Sequence, residues 1–241
     1  MMNVKGIAVF ACLAAAPVLA QAEPWSGDLA LGYLATSGNS ETSSVNAKGG
    51  LVYAADRWKN TLTGSAINTY ADNESSAENY TVTEQLDYNF TPRDYAFGAV
   101  EWNKDLFAAI RERTSETVGY GRHVLVGPTH LLDLEIGAGA RQSQTNDVPR
   151  QREDDLIGRG AAKYQWNISQ TATFLEALKI ETGESNTYTE SVTQLKLAIV
   201  GNLYANLSYT IKSNTDTAPD TKHTDTETAV SLSYEFGKKK V

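Results

Sequence analysis

The chain has 241 residues, a formal net charge of −8 and 41% apolar residues. That is too little apolar content for a bundle of membrane helices, and an acidic chain lacks the basic footprint that phosphate binding needs, so nucleic acid is excluded as a partner. One cysteine and three histidines leave little material for disulfides or transition-metal sites.

The chain opens MMNVK, then runs through the apolar Gly6–Ala20 to Ala20-Gln21-Ala22. A basic start, a short apolar run and an A-x-A site read as a cleaved signal peptide over residues 1–22, with cleavage after Ala22. The run is short for a spanning helix. Cys12 lies inside it, so the mature chain, 23–241, is expected to carry no thiol.

The mature chain breaks into about twelve segments of roughly 10–13 residues with period-two alternation, the length of tilted strands that cross a bilayer. The first sets Trp25, Leu29, Leu31 and Tyr33 against Ser26, Asp28 and Gly32; the second sets Val45, Ala47, Leu51 and Tyr53 against Asn46, Lys48 and Gly50. The fourth, seventh and eighth do the same around Val82–Leu86, Leu132–Ile136 and Leu156–Trp166. The eleventh carries Leu203, Leu207 and Tyr209, and the twelfth ends the chain on Val230, Leu232, Tyr234 and Phe236. Even-numbered connections are short, such as Asp56-Arg57 and Gly201-Asn202, whereas the odd ones are expected to be longer, as in Gln142–Glu153 and Ser213–Thr224. Aromatics gather at the short turns: Trp25, Tyr53, Trp58, Phe90, Tyr95, Trp166, Phe174, Tyr204 and Phe236. Amphipathic rings favour the membrane–water boundary. These signals predict an all-β, antiparallel up-and-down transmembrane barrel of about twelve strands, with ten or fourteen as the neighbouring counts, closed by pairing the last strand to the first. Short turns are then periplasmic, longer loops extracellular, and Lys238–Lys240 a periplasmic tail.

Three carboxylates resist the pattern. Glu84 falls on the apolar face of the fourth segment, and Glu101 and Glu176 share a phase with aromatics in the fifth and ninth. A β-bulge that switches the phase is the expected explanation, and a subunit interface the alternative.

The stretches GDLALGYLATSGNSETSSVNAKGGLVYAADRW and RERTSETVGYGRHVL, with the final strand, resemble the salt-induced outer-membrane protein (YdiY-like) family over essentially the whole mature chain. TSGNSET and the Gly-Tyr-Gly at Gly119–Gly121 are the most specific pieces. The resemblance implies an outer-membrane barrel with a link to salt or envelope stress, and it supplies no catalytic or binding residues. The alternating last strand, Val230, Leu232, Tyr234 and Phe236, also resembles the insertion signal read by the outer-membrane assembly machinery, which makes that machinery an expected partner beside outer-membrane lipids and lipopolysaccharide. Oligomeric state is not readable.

The residues offer no cofactor motif: no P-loop, no Gly-x-Ser-x-Gly and no paired histidines at ligand spacing. A lipid-modifying hydrolase would have to combine His123 with Ser115 or Ser143. Loop acids Asp72, Glu74, Glu78, Asp154 and Asp155 read first as a solvated rim, with a bridging cation as the alternative. The inward polar face of strands six to eight points instead to a lumen: Arg122 is expected opposite Asp133 and Glu135, with Arg159 and Lys163 on their other side. A twelve-stranded lumen lies between one filled by side chains and one holding water. The expected function is a narrow passive pore for small hydrophilic solutes or ions; a non-conducting structural barrel is the alternative.

Overall fold

The structure, a computed structural model, describes residues 24–36, 42–71, 74–146, 148–216 and 223–237. The signal peptide with Ala20 and Ala22, Asp72 and the Lys238–Lys240 tail lie outside the described residues.

Twelve strands follow one another: β1 (Trp25–Thr36), β2 (Thr42–Ala55), β3 (Trp58–Ala71), β4 (Glu74–Asn89), β5 (Asp94–Asp105), β6 (Ile110–Val126), β7 (His130–Thr145), β8 (Arg152–Asn167), β9 (Ala172–Thr182), β10 (Thr187–Val200), β11 (Leu203–Asn214) and β12 (Thr224–Phe236). Every sequential pair is antiparallel, and β1 pairs with β12, so the sheet is a closed barrel without an edge. Closure is what an all-β chain with an apolar outside needs, because an open edge would leave backbone groups unpaired.

The seam runs from Gly27↔Phe236 to Leu31↔Leu232. Phe236 lies over Gly27 there, where a Cβ would come 2.6 Å from the phenyl ring. The tight turn at Gly201-Asn202 uses a left-handed glycine, φ 59°, and that at Asp56-Arg57 an aspartate at φ 53°.

Residues 142–145 and 152–153 belong to β7 and β8, so the connection expected over Gln142–Glu153 contracts to 146–151. β4 likewise begins at Glu74. The asymmetry between the two ends therefore lies partly in long strands, up to the 17 residues of β6, and not only in loops.

The outer wall carries Leu29, Leu31, Val45, Leu62, Val82, Val118, Ile136, Leu156, Leu207 and Val230, all exposed. At the short-turn end the rings meet in pairs, Trp25 with Tyr53 at 4.7 Å and Trp58 with Tyr88 at 4.8 Å, forming a girdle. Two expected girdle members are corrected. Tyr95 alternates into the interior and is 3% exposed, and Tyr204 faces inward beneath the Lys196 ammonium.

Candidate functional site

The interior is the only large polar space among the described residues, and the five residues expected to line it divide. Asp133, Glu135, Arg159 and Lys163 face inward from β7 and β8. Arg122 does not. It shares the parity of Val118 and Tyr120, pairs across the sheet with Leu134, and binds Asp94 at 2.9 Å on the outer wall at the short-turn rim. A rim position lets the guanidinium stay half exposed, which the lumen at that level would not.

The inward four are tied into a packed network and leave no open wall. Glu135 is 6% exposed and accepts from Gln85 Nε2 at 2.9 Å, Tyr95 Oη at 2.9 Å and Arg159 Nη1 at 2.8 Å, with Lys163 Nζ at 3.7 Å. Asp133 holds His123 Nδ1 at 2.6 Å. Arg159 also stacks 4.8 Å from the Phe97 centroid. Room for the two inward rings of β5 comes from β6 and β7: a Cβ at Gly121 would lie 2.2 Å from the Tyr95 ring, and one at Gly119 2.7 Å from Phe97.

Further along the axis the network crosses the interior. Lys179 Nζ on β9 lies 2.6 Å from Glu101 Oε2 on β5 and 3.5 Å from Glu190 Oε2 on β10. Arg113 binds Glu101 at 3.1 Å and stacks 3.5 Å from the Tyr188 centroid. Toward the long-loop end Arg141, 1% exposed, reaches Asp155 at 2.8 Å and the Asn186 carbonyl at 2.6 Å. Asp155 also accepts from Ser185, so the β9–β10 connection is latched down over this side. Charges with this many partners offset the cost of leaving water. None of these cross-interior partners was legible in the sequence; the inward glycines of β6 and β7 were the available signal.

The other side is open. A cavity of about 420 Å³ begins near the long-loop end between Ser44, Thr69, Asp105, Asp225 and Thr228. It shares Asn46, Asn79, Thr210, Lys212 and Glu227 with a deeper cavity of about 220 Å³. The deeper wall is mostly hydroxyl and amide: Thr63, Ser65, Thr81, Thr83, Ser208 and Ser231, with Lys48. None of the five expected lining residues borders either cavity. Below it, Lys196–Glu235 at 2.7 Å and the Gln194–Asn206–Ser233 chain narrow the short-turn end.

The three carboxylates that resisted the pattern are explained without bulges, since pairing is continuous through Glu84, Glu101 and Glu176. The bulge explanation is overturned. Glu101 points inward, and its aromatic companions do so too. Glu176 points outward beside Phe174 and accepts from Ser191 Oγ at 2.8 Å and Thr193 Oγ1 at 2.6 Å. Glu84 points outward with Asn60 Nδ2 at 3.0 Å. Among the loop acids, Asp154 holds Arg152 at 3.1 Å and Asp155 is the Arg141 partner above.

Val230, Leu232, Tyr234 and Phe236 all project from the outer wall of β12. The Ser–His pairs that a hydrolase would need are not brought together. Ser115 is on the same strand as His123, about 26 Å away at 3.3 Å per residue, and bonds Glu181. Ser143 is farther still from the Asp133 that holds His123, about 33 Å along β7.

Comparison with known proteins agrees with this architecture. The uncharacterized protein YdiY of Escherichia coli (strain K12) is 33% identical over 215 residues, covering 88% of this chain and 83% of its own. The NanC porin structure superposes with a TM-score of 0.53 at 9% identity, covering 86% of this chain and 98% of that one, a likeness of fold alone. A family model matches residues 29–236. The chain belongs to that family, described as "Protein of unknown function, DUF481".

Proposed function

We propose that this protein is an outer-membrane barrel acting as a narrow passive pore for small hydrophilic solutes or ions. Its short turns stand in the periplasm and its longer connections outside. The observation that carries the reading is the eccentric polar cavity, entered from the long-loop end and lined by hydroxyls, amides and charges of both signs. A wall of this kind replaces part of a solute's hydration shell without binding it tightly. The apolar outer wall, the aromatic girdle and the exported start of the chain support the location. Outer-membrane lipids and lipopolysaccharide are the surroundings this implies, and the assembly machinery the insertion partner.

One observation favours a second reading, a non-conducting structural barrel: the Glu101–Lys179 pair joins opposite walls and narrows the path. Planar-bilayer recording separates the two. Purified wild type is expected to show small conductance steps, and a Glu101→Gln, Lys179→Met double variant larger ones. Silence in both, with the barrel inserted, would end the pore reading and leave the structural one.

A further inference from the structure

Two carboxylates stand outward on opposite sides of the barrel, and they are treated differently. Glu176 is covered by two hydroxyl donors of its own chain. Glu84, exposed, has one donor, Asn60 Nδ2 at 3.0 Å, although a carboxylate offers about four acceptor sites. From Glu84 to the turn at Phe90 the strand climbs about 15 Å along the membrane normal, at 3.3 Å per residue and a tilt near 40°. That sets the group near the middle of an apolar band about 25 Å tall, where an unshielded carboxylate is costly.

Its surroundings are flattened. Gly64 and Gly98 lie diagonally on either side of Glu84 on the outer wall. A Cβ would meet nothing within 4 Å at Gly98 and nothing closer than 3.9 Å at Gly64. The fold therefore does not demand glycine at either place, in contrast to the inward Gly119 and Gly121. Glycine weakens a strand, and where packing within the chain does not require it, it marks the close approach of another backbone.

We propose that a second copy of this chain docks on the outer wall of β3–β5 around Glu84. The inference rests on the membrane placement above and not on whether the lumen conducts. The second copy is favoured because the patch is self-complementary. Asn60, Leu62, Glu84 and Leu86 form a quartet in which Asn60 faces Leu86, and Leu62 faces Glu84, across the strand pair. A two-fold axis along the membrane normal through its centre sets each Asn60 amide, which has a second N–H, against the second copy's Glu84. The same axis brings Leu62 and Leu86, 42% and 43% exposed, against their own equivalents. That reciprocal contact is what an isologous interface requires, and polar side chains hydrogen-bonding within lipid are a known source of association there.

The lone cysteine, Cys12, belongs to the expected signal peptide, so single-cysteine variants of the mature chain report cleanly. Leu86→Cys and Leu62→Cys, reconstituted in lipid vesicles and oxidised, are expected to give a disulfide-linked dimer. Leu178→Cys, on the far wall of β9, is expected to give none. Glu84→Leu should keep the heat-modifiable mobility of a folded barrel while the Leu86→Cys cross-link falls at least tenfold. A monomeric mass by light scattering with no cross-link at either leucine would overturn the proposal. So would equal cross-linking at Leu178, or a Glu84→Leu variant that cross-links like its parent. If wild type fails to insert at all, the membrane placement has failed, and the missing mobility shift identifies that separately.

Discussion

The two sides of the interior are built on the same alternating sheet, yet one is solid and the other hollow. Along β5–β9 the inward positions carry Tyr95, Phe97, Arg113, Glu135, Arg141, Arg159 and Lys179, long or flat groups that reach the axis and find partners there. Along β11, β12 and β2–β4 they carry Ser65, Thr63, Thr81, Ser208 and Ser231, which stop short of it. Among the described residues, Lys48, Lys212 and Glu227 enter no ion pair, although all three border the cavity. Twelve strands enclose a width that small side chains do not fill. Side-chain reach, then, decides where such a barrel is core and where it is passage, and charge is spent on stability in one half and left facing solvent in the other.

The largest effect should come from breaking the solid half at its centre. Glu135→Ala leaves the buried Arg159 without its carboxylate, and losing one member of a buried pair costs about 3–5 kcal/mol. Urea unfolding in lipid, followed by tryptophan fluorescence, should show it, whereas Thr210→Val in the hollow half should change stability by under about 1 kcal/mol. Equal losses would mean that the two halves are not distinct. A smaller effect is expected at Gly121→Ala, whose new methyl would enter the Tyr95 ring. Overpacking of this kind costs about 1–3 kcal/mol. Tyr95→Ala in the same chain should restore most of that loss, since it removes the clash, and the double-variant cycle tests the stacking directly.

Much of this fold was legible in the sequence because an apolar face with period two names its own side. Strands β1, β2, β4, β7, β8, β11 and β12 each have one, and their inward and outward residues fall as the pattern places them. β5 and β9 were not legible, because the interior of β5 holds Tyr95 and Phe97 and the outside of β9 holds Glu176. Both faces then look mixed. The register of β6 slips between His123 and Leu125, so counting from the turn misplaced Arg122. The site was less legible than the fold. Glu101 and Lys179 are separated by 78 positions and meet only because the barrel closes. The glycines of β6 and β7 were the readable trace of the filled half: Gly119, Gly121, Gly137 and Gly139 all give backbone-only space to the interior.

The smallest structural disturbance should carry the most direct functional readout. Glu227 borders both cavities, beside Lys212 and within the field of Lys48, and it forms no ion pair whose loss would strand a buried partner. Glu227→Lys should therefore leave unfolding within about 0.5 kcal/mol of wild type. It also reverses one charge on the wall along which a solute must pass, and ion preference follows the sign of the lining charges. The reversal potential in a salt gradient should move toward anions, and Lys212→Glu should move it toward cations. Arg159→Glu and Lys163→Glu, on the solid side, should instead be felt mainly as lost stability, because Glu135 would then face like charges. A selectivity change that follows Arg159 and Lys163 but ignores Glu227 would put the path through the half that this structure fills.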